Sequence, residues 1–114
     1  GDRVRCYPSW RRLLGEVVGR GGADTVVVNP PYLPCSSLLP GEEAWCGGRG
    51  LGIALRLLGL GLGLLRGDGV LLASFSSLSG PGIPSFLLGR ARCFDEVSKR
   101  IGPEEIVAVA CRPA

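Results

Sequence analysis

Histidine, methionine and glutamine are absent from this chain of 114 residues, and lysine and asparagine occur once each, as Lys99 and Asn29. Without histidine the commonest general base is missing, and with no Cys-x-x-Cys pair among the five cysteines no ligand set for a structural zinc site can be assembled. There is no block of five or six like charges and the net charge is only +3, so the composition points to neither a nucleic acid nor an anionic membrane as partner. The longest apolar run, residues 57–65, holds nine residues, three of them glycine, between Arg56 and Arg66, which is too short to span a bilayer. A charged-then-apolar leader is also missing at the start, where the first residue is Gly1. The expectation is a cytoplasmic domain or an internal portion of one. Its odd number of cysteines is expected to lie buried as free thiols, unless a heat-adapted cytosol lets some of them pair.

A hydrophobic content of 46% is enough for a globular core, and the length suits one domain. Arginine outnumbers lysine twelve to one. Depletion of asparagine, glutamine and methionine is a thermophile's habit, and a GC-rich genome gives the same bias. Either pressure works against asparagine, which makes the surviving one informative. It sits in Val26-Val27-Val28-Asn29-Pro30-Pro31-Tyr32, where an apolar β-branched run meets a stiff polar corner. An Asx-type turn is the simpler explanation, and a chemical role is the other.

Around that corner the pattern alternates. Arg3 to Tyr7 reads as a short strand, and Ser9 as the cap of a helix reaching about Val18 through Trp10, Leu13, Leu14 and Val17. After glycines 19, 21 and 22, Asp24 to Val28 reads as a strand buried on both faces. Residues 51–65 predict a packed helix despite Gly59, Gly61 and Gly63, each of which weakens it by roughly 1 kcal/mol. Gly67-Asp68-Gly69 predicts a turn into a second buried strand, Val70 to Ser76. A Ser/Gly/Pro loop over 77–84 leads to a short helix near 85–91, and the tail predicts a hairpin of 93–98 with 105–111, in competition with one helix over 85–100. Alternation of this kind predicts an α/β domain with right-handed crossovers, whose function gathers at the carboxyl ends of the strands.

Asn29 falls at such an end. Pro30 and Pro31 have fixed φ and no N–H, and Asn29 is held extended by the proline after it. The corner therefore displays two acceptors, the Asn29 amide oxygen and the Pro30 carbonyl, beside the flat face of Tyr32. That arrangement suits a planar –NH₂ group. Its delocalised nitrogen is a poor nucleophile, and two acceptors gripping its hydrogens fix its plane and stabilise positive charge developing during attack. Aspartate would also accept, but as a costly charge in a dry site and without the NH₂ that could anchor the side chain.

Asn29-Pro30-Pro31-Tyr32 at the end of an apolar strand resembles the signature of class I S-adenosylmethionine-dependent methyltransferases that modify planar amino groups. Glu43-Ala44-Trp45-Cys46-Gly47-Gly48-Arg49 resembles a segment of the archaeal and eukaryotic arm of the HemK/PrmC-like release-factor glutamine methyltransferases, and the terminal hairpin resembles theirs. The resemblance covers the whole chain but only the second half of such an enzyme. It implies a partial Rossmann-like sheet, strands 3 to 7 of the order 3-2-1-4-5-7-6, forming the C-terminal portion of a single methyltransferase domain over 1–114. It further implies S-adenosylmethionine as cofactor, catalytic roles for Asn29 and Pro30, and substrate contacts from Pro31 and Tyr32. The implied substrate is the Gly-Gly-Gln loop of a release factor, and the implied partners are a complementing N-terminal half or a small zinc-binding activator subunit.

The chain departs from that family in two ways. The acidic-x-Gly-x-Gly-x-Gly loop and the ribose-binding acid are absent, since Gly59 to Gly63 lies inside a helix pattern and Gly48 to Gly52 follows loop. Relatives place an acidic residue near Ser9 and Trp10, where Trp10 could stack on adenine or simply pack. Missing strands 2 and 1 would leave the strand at 24–28 with an unpaired apolar edge, so the chain is expected to be a fragment, a half completed by another polypeptide, or a remnant. Three functions remain open: a protein-glutamine methyltransferase half, a nucleic-acid amino-methyltransferase half acting on adenine N6 or guanine N2, and a non-catalytic interaction module.

Overall fold

Ser9 adopts an extended conformation (φ −151°, ψ 155°) and its Oγ accepts from the Arg12 N–H at 3.3 Å, satisfying one of the orphan donors at the start of α1, Trp10–Gly19. The helix stops where the chain turns left-handed at Gly21 and Gly22, φ 95° and 94°, with the Gly22 N–H donating to the Val17 carbonyl at 3.0 Å. Gly22 is doubly required, because a Cβ there would lie 2.6 Å from the Arg66 backbone nitrogen. The computed structural model describes residues 3–31 and 51–114.

From this turn β1, Ala23–Val28, runs parallel to β2, Leu65–Ser76, with Thr25 to Val28 paired on Val70 to Ala73. Helix α2, Gly52–Leu64, leads directly into β2. Two steps along β1, Ala23 to Thr25, match five along β2, Leu65 to Val70, so the expected Gly67-Asp68-Gly69 turn is an irregular stretch inside the strand. Arg66 braces it from both sides, reaching Asp24 Oδ1 at 2.9 Å and Asp68 Oδ1 at 2.7 Å. A 3₁₀ turn at Ser77–Ser79 and α3, Gly82–Arg90, follow.

The tail is a hairpin, β3 Ala91–Ile101 and β4 Glu104–Pro113, turning at Gly102 (φ 61°). The competing helix over 85–100 ends at Arg90, because residues 91–101 find an antiparallel partner in β4, with one break in register at Phe94. β4 also pairs antiparallel with β2, from Leu71↔Cys111 to Ser76↔Ile106, so the sheet order among the described residues is β1-β2-β4-β3.

Alternation decides what is buried. Leu71, Ala73 and Phe75 of β2 and Val107, Val109 and Cys111 of β4 meet Ala54 and Leu58 of α2 and Ile83 and Leu87 of α3 in one cluster, with Val26 and Val28 packed against it. Leu58 is fully buried, and such a side chain contributes about 1.5–3 kcal/mol. Gly61 accounts for one glycine of the helix pattern: a Cβ there would sit 3.0 Å from Val28 Cγ2 and 3.2 Å from Leu71 Cδ1, so its absence lets α2 lie close on the sheet.

Three expectations need correction. Arg3–Tyr7 is not a strand, and with it strand 3 of the expected sheet is missing; a strand needs a ladder partner, and this segment is tied by side chains instead, Arg5 to Glu16 at 2.6 Å. The strand at 24–28 is covered on one face only, since Val27 alternates away from the helices and is 73% exposed. Finally, Cys93 and Cys111 are not free thiols but a disulfide, because the hairpin register sets them directly opposite each other. Cys6 is free and exposed, while Cys35 and Cys46 lie outside the described residues.

Candidate functional site

β1 ends at Val28 because the two prolines after Asn29 can donate nothing to a ladder. Pro30 is buried and Pro31 half-buried, which seats the corner on the protein, while Asn29 itself is exposed. The stiff part of the corner is thus anchored and its amide is presented.

The parallel register then supplies a partner. Val28 pairs with Ala73, so the next residue of each strand, Asn29 and Ser74, stand side by side at the carboxyl ends. The Ser74 Oγ–H donates to Asn29 Oδ1 at 2.7 Å, linking residues 45 positions apart. The anchoring contact of the Asn29 side chain is therefore on its oxygen, whereas the sequence pointed to the NH₂ as the anchor. Among the described residues this is the one bond of the Asn29 side chain, and it leaves one lone pair of Oδ1 and both Nδ2 hydrogens unused by them.

The other serines at this end of β2 are used internally. Ser76 Oγ is buried and accepts from the Leu78 N–H at 3.1 Å, and Ser77 Oγ accepts from the Glu105 N–H at 2.9 Å. The first bond shapes the turn that leaves β2 and the second ties that turn to the start of β4, so the strand end carrying Ser74 is held from behind.

Trp10 lies elsewhere. It lines an open cleft of about 390 Å³ with Arg5, Tyr7, Pro8, Ser9 and Leu13, and none of Asn29, Pro30 and Pro31 borders it. Arg5 of this cleft is paired with Glu16, which also binds Arg20 at 2.9 Å. The Tyr7 hydroxyl, donating to Glu16, is the main cause holding that carboxyl below its ordinary value, with Arg20 and Arg5 adding to it and partial desolvation opposing. An aromatic face is present here, but no carboxylate on the lining could take a ribose diol.

Tyr32 and residues 43–49, which carry the rest of the expected site, lie outside the described residues. Sequence reasoning missed Ser74. Its signal was present, since Ser74 is the one polar residue in the apolar run 70–75, but its meaning depends on the register that puts it beside Asn29.

Among the described residues no cluster of three or more His, Cys, Asp or Glu could hold a metal ion, and no helix is long and apolar enough to cross a membrane. Comparison with known protein families finds no match to the chain, and comparison with curated proteins finds none either.

Proposed function

We propose that the chain is the substrate-facing portion of a class I S-adenosylmethionine-dependent N-methyltransferase whose acceptor is a planar amide nitrogen, the side chain of a glutamine in a release-factor Gly-Gly-Gln loop. The observation that carries this reading is the Asn29 carboxamide, exposed at the carboxyl end of β1 and tied by its oxygen to Ser74 at 2.7 Å. The order β1-β2-β4-β3, with β4 antiparallel between its neighbours, supports the reading, since it corresponds to the run 4-5-7-6 of the resembled sheet. So does β1 as an edge strand, the position at which strands 1 and 2 of that sheet would continue.

In this reading Asn29 Oδ1 and the Pro30 carbonyl accept the two hydrogens of the substrate –NH₂, and Pro31 and Tyr32 flank its plane. Two acceptors in fixed positions orient the nitrogen lone pair and stabilise the positive charge that builds on nitrogen as a bond to carbon forms. The cofactor supplies the electrophilic methyl group, and holding it is the task of a glycine-loop segment that these residues do not contain. The cytoplasm, where release factors act, is the matching compartment.

The test uses the chain with such a glycine-loop segment supplied. Asn29→Ala is expected to lower single-turnover methyl transfer by roughly 100- to 1000-fold, the effect of removing one acceptor aimed at developing charge, with the melting temperature nearly unchanged. Asn29→Asp is also expected to be impaired, because it places a desolvated charge at the site. A variant Asn29→Ala that transfers methyl at the wild-type rate while melting much lower would make Asn29 a turn residue and end the catalytic reading.

A further inference from the structure

An asparagine at an exposed strand end rotates broadly about χ2, and a freely turning acceptor loses conformational freedom each time it meets a ligand. Asn29 is not free in this way. Ser74 reaches it from the neighbouring strand at 2.7 Å, and Ser74 is itself held, by backbone pairing with Ala108 of β4 and by the serine-fixed exit of β2 just beyond it. Ser74 is half-buried on the open face of the sheet, and its hydroxyl is used on Asn29.

We infer that Ser74 is the positioning residue of the Asn29 acceptor: its hydroxyl takes one lone pair of Oδ1 and thereby fixes the carboxamide plane and leaves the other lone pair for a substrate N–H. The inference rests on the amide-binding reading above and adds to it the residue that makes the acceptor rigid. Ser74 touches no substrate. Its effect passes entirely through the Asn29 side chain, so it should be seen in the orientation of that side chain as well as in binding. A hydroxyl is what the position requires, and threonine would serve as well as serine.

The composition makes the test clean. With one asparagine and no glutamine in the chain, a ¹⁵N-labelled sample gives a single side-chain carboxamide signal, that of Asn29. Its side-chain couplings report whether one rotamer is held, and titration with N-acetyl-Gly-Gly-Gln-N-methylamide reports binding at the same group. In the wild-type chain the couplings are expected to show one rotamer and the peptide to shift the signal. Ser74→Ala is expected to average the couplings and weaken binding about three- to tenfold, the worth of one ordinary hydrogen bond, and Ser74→Thr to restore both.

Ser74→Cys, nearly isosteric with a weak donor, is expected to behave like Ser74→Ala and decides the matter if the alanine variant does not fold. If Ser74→Ala or Ser74→Cys keeps wild-type couplings and wild-type peptide affinity, the positioning role is overturned while the amide reading of Asn29 stands. If the wild-type signal stays unmoved at millimolar peptide, the amide reading itself fails, and the role assigned to Ser74 goes with it.

Discussion

The two outer strands of the sheet formed by the described residues both expose apolar side chains, Val27 on β1 and Phe94, Val97 and Ile101 on β3, but they differ in charge and regularity. β3 carries Asp95, Glu96, Lys99 and Arg100, breaks its register between Cys93 and Asp95, and is bonded to its neighbour through Cys93–Cys111. Charges and a bulge are the usual means of keeping an edge from pairing with another chain. β1 has none of them in its second half. Thr25 to Val28 is uncharged and pairs regularly with β2, while Val27 stands bare on the face away from the helices. The difference teaches that, among the described residues, β3 carries edge-blocking features that the second half of β1 lacks, and it is β1 that leads into Asn29.

The largest expected effect breaks the β3 edge. Replacing both Cys93 and Cys111 by serine removes a cross-link over 18 residues, and loops of that size are worth roughly 3 kcal/mol. Chemical denaturation should show that loss, and sedimentation should show no new oligomer, because the charges and bulge of β3 remain. New association would mean that the disulfide alone was guarding that edge.

A smaller effect bears on the β1 edge. The 114-residue chain is expected to self-associate through β1, and Val27→Lys to shift it toward monomer in sedimentation while changing stability by no more than about 0.5 kcal/mol, as for an exposed position. A wild-type chain that sediments as one monomer and melts cooperatively would show the edge to be covered, and the contrast would disappear.

The smallest effect concerns the segment ahead of α1. Glu16 has a depressed carboxyl pKa, caused first by the Tyr7 hydroxyl and then by Arg20 and Arg5. A depressed carboxylate stabilises the fold above its unfolded value and ceases to do so as pH falls through the folded one. The hold of Glu16 on Arg5 and Tyr7 is therefore complete above the ordinary value of 4.5 and is lost only at pH below it. Proteolysis near residues 3–8 should rise on acidification below that pH in the wild type, whereas Glu16→Gln should show the higher susceptibility at neutral pH already. Equal susceptibility of the two proteins at every pH would remove Glu16 from the account.

Much of the architecture was legible because it depends on local pattern. The Ser9 cap and the nearly unbroken apolar run of α2 each report their own element, whereas the choice of a hairpin over a helix for the tail rests on the family resemblance rather than on a local pattern. The strand expected at Arg3–Tyr7 failed because β-propensity describes half of a pairing, and nothing within residues 3–7 says whether the other half is present. Burial of Val27 failed for the same reason, since an uncharged strand reads alike whether one face or two are covered. At the candidate site, Asn29 and the prolines were visible as an oddity of composition and stiffness. Ser74 was not, because its significance comes from a residue 45 positions away and from a register that no short stretch encodes.

The central proposal is that the corner at Asn29 orients the planar amide nitrogen of a substrate so that this nitrogen accepts a methyl group. It is tested most directly by supplying the chain with a glycine-loop segment and S-adenosylmethionine, offering a Gly-Gly-Gln peptide and an adenine-containing oligonucleotide together, and locating the transferred methyl by fragment mass. The expected result is one methyl on the glutamine side-chain nitrogen of the peptide. Methyl found only on the base would contradict the glutamine assignment while keeping the chemistry of the corner, and methyl on neither would contradict the enzyme itself and leave an interaction module.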